Sequence, residues 1–227
     1  YVTTGRPLVI IKAAVTADGK AAARTGASRW ITGEEARREA HRLRRESDAV
    51  MVGRGTVEAD DPELTVRMVR LGKARPPLRV VVDSRLALDP ASRLAAGGEP
   101  PVLVATTAAH DAARAELLRA RGVEVLVLPG KDGRVDLEAL LRALGERGVA
   151  QVMVEGGPTL ASSFLERGLA DRLALFVAPR VFGDAEAISW VTGRRVESPE
   201  EGVGFAWKGM RMVGEDILLE AELDGGG

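Results

Sequence analysis

Short apolar runs alternate with amphipathic stretches along most of the chain. The first, PLVIIKAAV (7–15), is β-branched and almost unbroken, the pattern of a strand covered on both faces. DAVMVG (48–53), LRVVVD (78–83), PVLVAT (101–106), VEVLVLP (123–129), QVMVEG (151–156) and RLALFVAP (172–179) repeat it. Between them the period changes. Thr32-Gly33-Glu34-Glu35 has the spacing of a capping box, with Thr at the N-cap, and predicts a helix to about Ser47. Ala36, Ala40 and Leu43 form its apolar stripe, and Arg37, Arg38, Arg42, Arg44 and Arg45 surround it. A brief helix is expected before Asp60-Asp61-Pro62, where proline disfavours helix at the residue preceding it. Residues 110–121 and 136–147 predict two more helices, the first stopped by Gly122. Pro158 opens another at a favoured early position, running to about Gly168. Residues 67–78 and 180–204 read as surface connections. FAWKGMRMVG (205–214) and DILLEAEL (216–223), separated by Gly214-Glu215, read as a closing antiparallel hairpin.

This order predicts an α/β fold. Apolar strands without alternation indicate a mostly parallel sheet covered by helices on both faces, and the final antiparallel pair makes it mixed. At 227 residues with no clear linker, one domain over 1–224 is expected, followed by a disordered Gly225-Gly226-Gly227 tail. The chain starts with Tyr1 rather than Met, which reads as a trimmed start or one piece of a longer product.

Composition and charge then narrow the chemistry. There is no cysteine, which excludes a disulfide framework, a thiol nucleophile, an iron–sulfur cluster and cysteine-ligated zinc. Two histidines, His41 and His110, are too few for a multi-histidine metal site, and no metal is expected. The net charge is −1, so no overall field exists to hold nucleic acid. No apolar run approaches the ~18 residues of a membrane span and no leader opens the chain, so a cytoplasmic protein is expected. Of 32 basic residues only five are Lys, and a surplus of Arg suits bidentate binding of phosphate, although most of it reads as a solvated surface. His41 and His110 read as solvated residues of charged helical segments, and Trp190 and Trp207 as packing residues.

The G-x-G-x-x-G, Walker A, G-x-S-x-G and H-E-x-x-H fingerprints are absent. Four segments at or near strand ends remain. In Glu155-Gly156-Gly157-Pro158-Thr159-Leu160-Ala161-Ser162-Ser163 a strand ends in a carboxylate, two glycines follow and a helix begins. Glycines let backbone N–H groups approach an anion, and the helix end adds partial positive charge, which suits a pyrophosphate; a ligand-free tight turn reads equally from the residues alone. Glu155 at such a place needs a donor partner. Lys12, inside an apolar strand before Thr16-Ala17-Asp18-Gly19-Lys20, is either functional or snorkelling. Trp30, in Ser28-Arg29-Trp30-Ile31-Thr32, either packs on something flat or plugs the core. In Gly53 to Arg67 the adjacent Asp60 and Asp61 suit turn chemistry better than a metal, and Arg44 and Arg67 are candidate phosphate grips.

The chain resembles the reductase domain of the bifunctional riboflavin-biosynthesis deaminase/reductase, within the dihydrofolate-reductase-like superfamily. The resemblance spans nearly the whole chain and is densest at Lys12–Lys20, Ser28–Thr32, Ala59-Asp60-Asp61-Pro62-Glu63-Leu64-Thr65-Val66-Arg67 and Val154-Glu155-Gly156-Gly157-Pro158-Thr159-Leu160. One departure is Thr16-Ala17-Asp18-Gly19 where members usually carry Ser-Leu-Asp-Gly. The resemblance implies reduction by NADPH of 5-amino-6-(5-phosphoribosylamino)uracil to its ribitylamino counterpart. It implies cofactor contacts at Ala14, Trp30, Thr56, Asp60 and Ser84, and a pyrophosphate cradle at Gly156, Gly157, Pro158, Thr159, Leu160, Ala161, Ser162 and Ser163. Substrate contacts are implied at Ser28, Arg44, Leu64, Arg67 and Glu155. Lys12, Glu155 and a water compete as the general acid, and Arg85, beside Ser84, is a candidate reader of the cofactor 2′-phosphate. It further implies a homodimer and, in a longer product, a zinc deaminase domain that these cysteine-free residues do not contain. The rivals are a same-fold reductase of the 2,5-diamino pyrimidinone or of a pteridine, and a non-catalytic nucleotide-binding domain.

Overall fold

The structure, a computed structural model, describes residues 5–223; Tyr1 and the Gly225–Gly227 tail expectation lie outside the described residues. The elements are β1 (Leu8–Thr16), β2 (Lys20–Ala22), α1 (Glu34–Glu46), β3 (Ala49–Gly53), α2 (Arg54–Asp60), β4 (Leu78–Val82), β5 (Val102–Thr107), α3 (Ala112–Ala120), β6 (Glu124–Leu128), β7 (Gly130–Lys131), β8 (Arg134–Val135), α4 (Leu137–Glu146), β9 (Gln151–Val154), α5 (Pro158–Glu166), β10 (Arg172–Ala178), β11 (Ile188–Ser189), a 3₁₀ turn (Pro199–Glu201), β12 (Phe205–Val213) and β13 (Asp216–Leu223). This is the mixed, mostly parallel α/β fold that the alternation predicts, and its last two strands are antiparallel.

The chain divides into two compact units, Tyr1–Pro7 with Arg44–Met153, and Leu8–Leu43 with Val154–Gly227. In the first, strands follow the order β9-β3-β4-β5-β6, and the β3–β4, β4–β5 and β5–β6 pairs are parallel. Val50, Val52, Val81, Val102 and Val104 meet Leu64, Leu86, Leu88, Leu94 and Leu118 in one cluster. Each such buried aliphatic side chain contributes about 1.5–3 kcal/mol. Asp48 fixes the edge of this arrangement: its Oδ2 accepts the N–H groups of Ala150 and Gln151 at 2.8 and 3.0 Å, and its carbonyl accepts Leu78 N at 2.8 Å.

In the second unit the order is β12-β13-β10-β1, with β1 parallel to β10 and the other two pairs antiparallel. Ala36 and Ala40 of α1 pack on Ile10, Ala174, Phe176, Val213 and Leu218, with Leu43 against the same cluster. The stripe read from the sequence is therefore the buried face of α1, but the helix begins differently. Its first turn closes on the Gly33 carbonyl, which accepts Arg37 N at 3.2 Å, and Gly33 N–H donates to Asp216 Oδ2 at 2.7 Å. A carboxylate from β13 takes the N-cap N–H, and the helix starts at Glu34, beyond the expected Thr32 cap.

Two residue readings are corrected. His41 is 6% exposed, because α1 is covered beyond its 36/40/43 row: Glu39 is buried as well. Trp207 is 56% exposed and meets Phe205 edge-on at 4.7 Å between ring centroids, so it is not a packed core residue.

Candidate active site

In the second unit, Lys12 lies in the middle of β1, in register with Ala174 of β10. It does not reach for solvent. Its Nζ is 3.9 Å from Glu155 Oε2, with the two side chains only 17% and 10% exposed, and 5.7 Å from the centroid of the Phe176 ring. The Lys12 ammonium thus stands between an aromatic face and a carboxylate, with little of it open to water. Glu155, the carboxylate that needed a partner, has one here.

Glu155 leads from β9 into the Gly156-Gly157 turn and then α5. A Cβ at Gly156 would stand 2.9 Å from Leu160 Cβ and 2.8 Å from its Cδ2, so the close approach of turn and helix requires glycine there. Gly157 is the N-cap and carries no side chain to satisfy the helix end; its carbonyl accepts Leu160 N at 3.1 Å and Ala161 N at 3.2 Å. Pro158 occupies the first helical position. Along the expected cradle, Gly156, Gly157 and Pro158 are half-buried and Thr159 is exposed, while Leu160, Ala161 and Ser162 are buried. Ser162 Oγ accepts Thr192 N at 2.8 Å, and Ser163 Oγ donates to the Thr159 carbonyl at 2.8 Å. The outward groups thus sit at the start of α5, a nine-residue helix whose positive end has no side-chain cap. These residues fit a pyrophosphate.

Trp30 is 60% exposed, which removes the core-plug reading. The guanidinium carbons of Arg37 and Arg29 lie 4.5 and 5.8 Å from its ring, and Arg37 is held by donating to the Thr32 carbonyl at 2.9 Å. Ser28 is half-buried in the same loop, and Ala14 packs beside the α1 cluster. The Asp18-Gly19 turn is structural. Asp18 accepts the Thr16 hydroxyl at 2.6 Å and the N–H groups of Phe182 and Gly183 at 3.1 and 2.8 Å. The Thr16 bond foremost, then the Gly183 bond, lowers its pKa to about 2.

In the first unit, Thr56 and Asp60 are half-buried on α2, and Asp61 ends that helix in the left-handed region at φ 39°. Asp61 Oδ1 accepts Arg93 N at 2.8 Å, turn chemistry as its sequence context indicates. Leu64 also adopts a positive φ, 54°, and is 2% exposed, so its side chain anchors the loop in the core. The structure brings Arg44 and Arg67 to this loop. Arg44 Nη1 donates to the Thr65 carbonyl at 2.9 Å, and Arg67 Nη1 to Glu63 Oε2 at 2.6 Å. Arg93 Nη1 donates to Glu63 Oε1 at 2.9 Å. The Arg67 hydrogen bond leads the effects that hold the Glu63 carboxyl below its ordinary range. Ser84, after β4, accepts Val135 N on its Oγ at 3.0 Å. Sequence reasoning missed Glu63, Arg93 and Arg37, since nothing local marks a surface charge as a neighbour of a site.

The RibD C-terminal domain family model matches residues 7–219. The chain is 38% identical over 220 residues to the riboflavin biosynthesis protein RibD of Actinobacillus pleuropneumoniae, covering 97% of this chain and 58% of that protein. It is 40% identical over 220 residues to the 2,5-diamino-6-ribosylamino-4(3H)-pyrimidinone 5′-phosphate reductase of Methanothermobacter thermautotrophicus, covering 97% of this chain and all of the relative. A solved deaminase/5-amino-6-(5-phosphoribosylamino)uracil reductase from Thermotoga maritima superposes with a TM-score of 0.77 at 31% identity, over 98% of this chain and 58% of that one. The chain therefore spans a little over half the length of the RibD proteins it matches, and it belongs to the RibD C-terminal domain family.

Proposed function

We propose that this chain is the NADPH-dependent reductase of riboflavin biosynthesis, converting 5-amino-6-(5-phosphoribosylamino)uracil to 5-amino-6-(5-phosphoribitylamino)uracil. The observation that carries this reading is the shielded Lys12–Glu155 pair immediately before an uncapped glycine-rich helix start. The family model runs unbroken across both compact units, which supports one reductase domain.

When bound, the reduced nicotinamide supplies the hydride that ends at the sugar C1′. The chain's own residues do the rest. The closed ribosylamine must open to an imine, which requires a proton at the ring oxygen. Lys12 holds that proton on Nζ, and Glu155 keeps the ammonium in place and balances positive charge as it develops on the substrate. Gly156, Gly157 and Thr159 hold the pyrophosphate with backbone N–H groups and the helix end, and Trp30 offers a flat surface. Arg44 and Arg67 grip the substrate phosphate, which a planar guanidinium fork binds through two oxygens. Ser28, Leu64, Ala14, Thr56, Asp60 and Ser84 complete the contacts the resemblance implies.

A second reading, reduction of the 2,5-diamino pyrimidinone, is favoured by the full-length match to the Methanothermobacter reductase. Anaerobic incubation with NADPH and each pyrimidine, following cofactor absorbance and product, separates the two. Turnover of the uracil is the expected result; turnover of the diamino compound alone assigns the second reading, and turnover of neither overturns both.

A homodimer is part of the proposal. Phe205, Trp207, Met210 and Met212 of β12 are 40, 56, 76 and 63% exposed. They pair with Leu223, Ala221, Leu219 and Ile217, alternate residues of β13, because the bulge between Trp207 and Gly209 restores the face after one extra residue. A contiguous apolar sheet face of this kind fits a second copy of itself. A cytoplasmic enzyme, joined in a longer product to a zinc deaminase domain, is the setting this function implies. No helix among the described residues is long and apolar enough to cross a membrane.

A further inference from the structure

In the second unit, the closing hairpin and the start of α1 meet at a buried carboxylate. Asp216 pairs with Val213 across the turn Gly214-Glu215, so the hairpin register fixes its position. It is 2% exposed and forms no ion pair among the described residues. Its Oδ2 accepts the Gly33 N–H at 2.7 Å, where the positive end of α1 favours a negative charge. Glycine at 33 admits the carboxylate, since a Cβ there would stand 3.3 Å from Asp216 Oδ2. Gly214, at φ 66°, makes room from the other side: a Cβ there would come within 2.9 Å of Glu35 Oε2. The hairpin turn and the first turn of α1 are fitted to each other, although 183 residues separate Gly33 from Asp216.

From Gly33 the contacts run on to Trp30. The Gly33 carbonyl accepts Arg37 N at 3.2 Å. Arg37 Nη1 donates to the Thr32 carbonyl at 2.9 Å, and its guanidinium carbon stands 4.5 Å from the centre of the Trp30 ring. Ile31 and Thr32 are each 8% exposed, so the loop is seated up to the helix while the indole itself stands out of the core. A second tie joins the hairpin to the middle of α1, away from its first turn: Arg211 Nη2 donates to Glu39 Oε1 at 2.5 Å.

We infer that Asp216 is a positioning residue for the Trp30 loop. By holding Gly33 it sets where α1 begins, and so where Arg37 presents the indole. The inference rests on the proposed cofactor site, in which Trp30 offers a flat surface, and adds to that site a residue of the last strand that acts only through the helix.

The test reads the loop itself. In a background carrying Trp190→Phe and Trp207→Phe, Trp30 is the sole tryptophan, and time-resolved anisotropy of the NADPH-free protein reports its local motion. Asp216→Ala should enlarge the fast-decaying component by about two-fold or more, and should weaken NADPH binding by about three- to ten-fold, the scale of a lost helix cap. Asp216→Asn keeps an acceptor oxygen in place and should return both readouts to near the wild-type values. Arg211→Ala, which breaks the other tie, should lower the thermal midpoint and leave both readouts unchanged. Asp216→Ser, with a side chain too short to reach Gly33, takes the place of Asp216→Ala if that variant does not fold. Unchanged Trp30 anisotropy in the alanine or serine variant, or equal loosening by Arg211→Ala, overturns the inference and leaves the cofactor site standing. A wild type that binds no NADPH overturns the cofactor site instead, and the anisotropy comparison still decides whether Asp216 holds the loop.

Discussion

The two units hold their charged groups in opposite ways. In the second, Lys12 and Glu155 sit on a strand and at a strand end, and little of either reaches solvent. Both carbon stems are largely enclosed, and the Lys12 Nζ stands over the Phe176 ring as well as beside Glu155. In the first, Arg44, Arg67 and Arg93 gather on the loop around Glu63, where Arg67 is 51% exposed and Arg93 58%. There the geometry is set by side chains that can swing, while buried Leu64 keeps the loop itself in place. Proton transfer needs fixed distances and poor solvation; gripping a phosphate needs charge and some adjustment. The contrast accords with the proposal that the strand-held pair does the chemistry and the loop-held arginines the binding.

Disabling the strand-held pair should have the largest effect. Lys12→Met and Glu155→Gln should each lower kcat by about 10²–10⁴-fold, the usual worth of a general acid and its support. NADPH affinity, measured by fluorescence, should stay near the wild-type value. A variant pair with undiminished kcat would break the assignment of chemistry to this unit. The loop-held group should behave differently. Arg67→Ala should raise KM for the phosphorylated substrate by about 10–100-fold, the cost of a lost charged hydrogen bond, with little change in kcat. Equal losses in substrate and cofactor affinity would dissolve the contrast between the regions.

Which parts of this were legible beforehand follows from the range of the signals. The long strands and the helices at 34–46, 112–120, 137–146 and 158–166 announce themselves through local periodicity, and their observed ends fall close to those expected. The short pairs β2–β11 and β7–β8 do not, since strands of two or three residues carry no period. Local spacing does not announce the start of α1, because its N-cap N–H is taken by Asp216, 183 residues away. The site follows the same rule. Lys12 and Glu155 each stood out singly, as a charge in an apolar run and a carboxylate before two glycines, but nothing in the sequence pairs them. Trp30 stood out as well, and only the structure decides between its exposed and buried readings. Arg93 gave no sign at all, and Glu63 stood only inside the Ala59–Arg67 run with no role marked for it, because a surface charge looks the same whether or not it borders a site.

The smallest effect concerns the turn that follows β1 in the strand-held unit. Asp18 joins residues 16–20 to Phe182 and Gly183, and its pKa is lowered from 3.8 to about 2 by the Thr16 hydroxyl first and the Gly183 N–H next. A carboxyl whose folded pKa is depressed stabilises the fold above its unfolded value. That contribution is lost as the pH falls from about 3.8 toward about 2. Asp18→Asn keeps the shape without the charge. At neutral pH it should lower the thermal midpoint modestly, since the group is fully exposed to screening. The gap between variant and wild type should then close as the pH is brought down through that window. A gap that stays constant across it would mean that the carboxylate charge does not hold this turn, and that the strand-held unit owes its rigidity here to backbone pairing alone.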